Sequence, residues 1–172
     1  SFGGDIQAAA NAAASLGLPL ITGRKDYEVQ NAFILPSGLT WISGGTRIKM
    51  MRAGTGGTNP LDSAIVPQSN TRIIGRIYVY LVDSPGAAAL RAHVLLGNWT
   101  TGEGINDFTF DEFILEGGHS NINGVAIAGD SYNIRGNRID AGNSTVIGRA
   151  LMTHWGNFAQ HYLSGGKYQH AA

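Results

Sequence analysis

Cysteine is absent from this 172-residue chain, proline occurs only five times, and no apolar run approaches the ~20 residues that a membrane-crossing helix needs. The first absence removes disulfide scaffolds and thiolate metal centres, and it leaves the compartment open. The last, with an opening segment that lacks the basic-then-apolar order of a signal peptide, predicts a soluble protein with no membrane partner. Charge is scarce as well. Charged residues make up 14% of the chain and Lys plus Arg equal Asp plus Glu at 12 each, so the basic footprint of a nucleic-acid binder is missing and nucleic acid is not an expected partner. Glycine is plentiful at 25 residues without the every-third spacing of collagen, which points to turns. With 43% apolar content the chain is long enough for one domain over 1–172 with its own core.

A repeat organises the second half. The segment 124–130 (GVAIAGD) returns at 148–154 (GRALMTH), 24 positions on, and the same shift lays 107–111 (DFTFD) on 131–135 (SYNIR). Short alternating runs separated by Gly and Asn at such a period signal stacked strand-and-turn units. The fold expected is all-β, a right-handed parallel β-helix, or solenoid. Ahead of it, 5–16 (DIQAAANAAASL) predicts a short helix capped by Asp5 and stopped by Gly17, placed to cover the open end of the stack. Strands are predicted at 27–35, 40–43, 47–51, 71–82, 92–96, 107–115, 125–128, 133–139 and 146–152. Two stretches break the period: 52–70 is long and irregular, and about eight extra residues fall within 99–106. Long irregular loops in compact folds are often functional, so these two are expected to wall a groove.

The entry segment carries a resemblance. The Asp-headed helix, Tyr27 and Val29, the turn Leu35-Pro36-Ser37-Gly38, the strand Gly44-Gly45-Thr46-Arg47-Ile48 and the later SYNIRGNRIDAG at 131–142 together resemble the pectate-lyase-like superfamily, in its phage tailspike and bacterial polysaccharide depolymerase branch. The resemblance implies a polysaccharide partner and an extracellular setting, secreted or on a virion surface. It implies a glycoside hydrolase or polysaccharide lyase acting on a glycan bound along an outer groove. The alternative it leaves open is a non-catalytic glycan-binding adhesion or receptor-binding fibre module, because this fold hosts many functions. No cofactor is expected, with Ca²⁺ reserved for a lyase. The chain stops at 169–172 (QHAA) without a segment able to cover a last repeat, so a fragment is expected, assembling as a homotrimer or with a missing C-terminal part.

The 24-residue register also predicts neighbours. With Phe108, Phe110, Leu115, Tyr132, Ile134 and Ile139 inward, Asp111, Glu116, Arg135 and Asp140 point outward. Glu116 then lies beneath Asp140, at the strand spacing of ~4.8 Å, and two carboxylates so close suit the acid and nucleophile of a retaining glycosidase. The plainer reading is a solvated polar face. Asp111 falls beneath Arg135 as a surface ion pair or, in a lyase, as part of a site drawing on Arg135, Arg138, His154 and Lys167. Asn106, Asp130 and His154 form a third set, read either as a stabilising polar ladder or as Asp130 orienting His154 for acid–base work. The other histidines considered (His119, His161 and His170) share no metal-ligand spacing with His154, so zinc is not supported. Trp99 opens the insertion and Trp155 follows the repeat; their indoles are the expected platforms for sugar C–H faces.

Overall fold

The structure is a computed structural model that describes residues 4–54, 59–82, 91–118, 122–143, 149–154, 158–159 and 162–163. Its one helix, α1, spans Ile6–Ser15: the Asp5 carboxylate accepts from the Ala8 N–H at 3.0 Å, and Gly17 ends it in the left-handed region at φ +64°. Ile6 and Ala10 are buried in the core, whereas Leu16 is exposed.

Thirteen strands follow among the described residues: β1 Leu20–Thr22, β2 Asp26–Val29, β3 Phe33–Leu35, β4 Thr40–Met50, β5 Ile65–Pro67, β6 Arg72–Leu81, β7 Arg91–Leu96, β8 Asn106–Gly117, β9 Ile122–Ala128, β10 Ser131–Asn143, β11 Arg149–His154, β12 Phe158–Ala159 and β13 Tyr162–Leu163. Every pairing is parallel. One sheet has eight strands: β1 and β2 both pair with β4, the order continues β4-β6-β8-β10, and β12 and β13 both pair with β10. The other has five, in the order β11-β9-β7-β5-β3.

The expected right-handed parallel β-helix is thereby corrected. The described residues form two parallel sheets with one short helix, and neither a solenoid of constant period nor a closed barrel is seen among them. The reason lies in the register. Leu20 stands opposite Trp41 and Arg72 opposite Thr109, offsets of 21 and 37 residues, so no single repeat length governs the chain. Even within the repeat, Ile134 pairs with Phe108 and Leu151 with Val125, offsets of 26 where the glycine match gave 24.

Both sheets contribute to one core. Phe33 of β3 meets Trp41 of β4 edge-to-face at 5.3 Å, and Phe108, Phe110 and Phe113 of β8 follow one another with centroids 5.7 and 4.5 Å apart. Phe108, Phe110, Leu115, Ile134 and Ile139 are buried as expected. Tyr132 is not: it is 47% exposed, because Asn133 turns the chain in the left-handed region at φ 54° and Ile134 takes the place beside Phe108. A turn ladder does exist, but at Asn70, Asp107 and Asn133, all with positive φ, and not at Asn106, Asp130 and His154. Asn70 N–H donates to the Asn106 carbonyl at 2.8 Å and the Asn133 amide donates to the Asp107 carboxylate.

Candidate functional site

The two period-breaking stretches meet on the outer side of the five-stranded sheet. In the first, Asn59 accepts from Leu61 N–H at 3.0 Å and starts a short 3-10 turn at Pro60–Asp62, before β5. In the second, the loop after β7 closes on itself: Asn98 N–H donates to the Glu103 carbonyl at 2.7 Å, Gly102 N–H returns to the Asn98 carbonyl at 2.8 Å, and the Asn98 side-chain oxygen takes Thr100 N–H at 2.9 Å. This loop lies hard against the turn that links β9 and β10. A Cβ on Gly97 would strike the Ala128 carbonyl and one on Gly104 the Asp130 carbonyl, so only glycine permits the approach.

Between the loops is a cleft of about 540 Å³. Pro60, Leu61, Val66 and Ile105 supply apolar wall; Gln68, Asn98 and Glu103 supply the polar groups. The Gln68 side-chain oxygen accepts from Ser37 N–H at 3.0 Å, which leaves its NH₂ group without a partner among the described residues. Glu103 takes the Thr101 hydroxyl at 3.1 Å on one oxygen.

Trp99, expected as an exposed stacking platform, is instead 3% exposed. It packs with Ala92, Leu95, Ala126 and Ala128, a small cluster outside the main core, and so pins the loop that forms one wall. Trp155 lies outside the described residues. His154 ends β11 with its backbone opposite Ala128, and its side chain lies outside what is described.

The outward face of the eight-stranded sheet carries the charged residues that the repeat singled out. Their partners differ from those expected. Asp140 pairs in register with Ile114 and Glu116 with Asn143, so the two carboxylates do not stack. Each is taken by its own arginine. Arg47 Nε donates to Glu116 Oε2 at 2.8 Å and Nη2 to Oε1 at 3.3 Å, and the guanidinium also reaches Asp26 at 3.4 Å and lies 5.0 Å from the Tyr78 ring centre. The Glu116 hydrogen bond raises Arg47 above the ordinary guanidinium value. Arg138 donates to Asp140 at 2.8 Å and forms an ion pair with Glu112 at 3.0 Å, and Arg76 takes the other Glu112 oxygen at 2.6 Å. Asp111 accepts from Gly75 N–H at 2.7 Å and from the Asn137 amide at 3.3 Å, while Arg135 donates to Asn133 at 2.9 Å and stands opposite Thr109. The expected Asp111 to Arg135 ion pair is therefore not formed.

Sequence reasoning passed over His93. It is fully buried in β7, with Nε2 at 2.9 Å from the Glu116 carbonyl and Nδ1 at 3.3 Å from the Asn123 carbonyl, tying the two sheets together. Burial, only partly offset by these two carbonyls, pushes its pKa down to about 4.

Among the described residues no three His, Cys, Asp or Glu side chains gather as metal ligands, and no helix is long and apolar enough to cross a membrane. No family model, curated protein or solved structure matches the chain, so the likeness to the pectate-lyase-like superfamily rests on the quoted motifs alone.

Proposed function

We propose that the protein is a glycan-binding module that holds a carbohydrate chain in the cleft between the 59–69 and 97–105 segments. The observation that carries this reading is the cleft's make-up: apolar walls for sugar C–H faces beside the Gln68 NH₂ group and the second Glu103 carboxylate oxygen for hydroxyls, on loops locked by Trp99 and by glycine contacts. Binding is favoured over hydrolysis because Glu116 and Asp140, the carboxylates expected to serve a retaining mechanism, are not register partners and are each neutralised by a different arginine.

The test is a panel of neutral and acidic polysaccharides titrated calorimetrically, with reducing ends and the ultraviolet absorbance of unsaturated ends followed in parallel. At least one glycan is expected to bind with both product signals flat. Glu103→Gln and Gln68→Ala should each weaken it about tenfold, the equivalent of ~1.4 kcal/mol. Appearance of reducing or unsaturated ends would reverse the choice in favour of an enzyme, and a panel without any binder would remove the glycan reading altogether.

A further inference from the structure

At the Pro60–Leu61 end of the cleft, but behind its wall, sits a group of charges that the glycan reading does not use. Asp62 is completely buried and its Oδ1 accepts from Arg52 Nη2 at 2.6 Å; the same nitrogen donates to the Leu61 carbonyl at 3.0 Å. Arg91, 1% exposed, does not answer that carboxylate. Its Nε donates to the Asp62 backbone carbonyl at 2.9 Å and its Nη2 to the Arg52 carbonyl at 3.0 Å. Two buried donors remain, Arg91 Nη1 and Arg52 Nε, neither with an acceptor among the described residues. Arg52 takes the Asp62 carboxylate and Arg91 only backbone carbonyls, and a buried guanidinium donor left without an acceptor is costly. Burial lowers the Arg91 pKa, and Arg52 adds to that while Asp62 opposes it. Donors of this kind suit a negatively charged acceptor with more than one oxygen, since a planar fork matches oxyanions better than a spherical ion. Access runs along Arg52, whose side chain is 30% exposed.

We propose that Arg52 and Arg91, with Asp62 holding Arg52 in place, form a binding site for a small oxyanion of the sulfate or phosphate class. The site is independent of the glycan reading and stands or falls separately from it. The experiment is thermal unfolding of the whole chain in inorganic sulfate and in phosphate, against chloride at matched ionic strength, with direct calorimetric titration of phosphate. A saturable rise in Tm is expected in wild type, about 4 °C at ten times the dissociation constant. Arg91→Met and the less deeply buried Arg52→Met should both lose it, whereas Arg72→Met, on the exposed face of β6, should keep it. A rise that never saturates and is shared by Arg52→Met is general salting and overturns the proposal. So does a saturable rise retained in Arg52→Met.

Discussion

His93 makes stability depend on pH in a direction fixed by its surroundings. A neutral imidazole has one N–H, and the shorter contact assigns it to Nε2 facing the Glu116 carbonyl, so Nδ1 faces the Asn123 carbonyl as acceptor to acceptor. Protonation would supply the missing donor, yet burying the charge costs more than that bond returns, and the pKa falls from 6.5 to about 4. The unfolded chain takes up the proton first as pH falls. His93 therefore contributes stability that is fully present above about pH 6.5, is lost progressively on acidification, and is exhausted below about pH 4. At ~1.36 kcal/mol per pH unit, integrating between about pH 7.5 and about pH 4.5 gives a loss of roughly 2–3 kcal/mol. Urea unfolding at the two pH values measures it, with His93→Gln as reference, because the carboxylates titrate alike in both proteins and cancel in the difference. The variant should be less stable at the higher pH and should lose roughly 2–3 kcal/mol less on acidification. Equal losses in the two proteins, or a His93 imidazole that titrates at its ordinary value by NMR, would refute the reasoning.

Three substitutions separate the groups that build the cleft from those that merely decorate the other sheet. Glu116→Gln and Asp140→Asn each break a partly exposed ion pair worth ~0–1 kcal/mol, so Tm should move by no more than ~3 °C and glycan affinity should stay within twofold; a tenfold loss in calorimetry would return these carboxylates to the site. Trp99→Ala should cost ~3–5 kcal/mol in denaturant unfolding, as loss of a buried ring does, and should raise hydrogen exchange through 97–105; unchanged stability with lost glycan affinity would place the indole in the cleft after all.

The way the register misled explains which inferences survived. Aligning Gly124 with Gly148 set the repeat at 24, whereas the strands pair at 26. An error of two residues preserves the alternation of a strand, so Phe108, Phe110, Leu115, Ile134 and Ile139 were correctly read as inward while every cross-strand partner moved. The left-handed turns at Asp107 and Asn133, which set the entry into β8 and β10, show in the sequence only as two ordinary polar residues. Helix α1 was legible because its signals are local: a capping Asp5, an alanine run and a terminating Gly17. The strands β6 and β8 were legible from alternation alone. Uneven loops defeated the constant period, and with it the solenoid, because nothing in a short repeat reveals how many residues each connection elsewhere in the chain consumes. Trp99 was misplaced for a reason that the sequence did contain: Ala92, Ala126 and Ala128 leave room on the outer side of the five-stranded sheet, and Gly97 and Gly104 let the loop descend to fill it. His93 had no such signal, since in β7 every residue is buried and alternation vanishes. Catalysis by a carboxylate pair demands placement within an ångström or so, and a slip of two residues displaces a strand partner by ~6.6 Å, more than the whole separation that the mechanism tolerates. A cleft walled by loops asks only that the chain leave the sheet at those two places, which the breaks in the period located whatever its length.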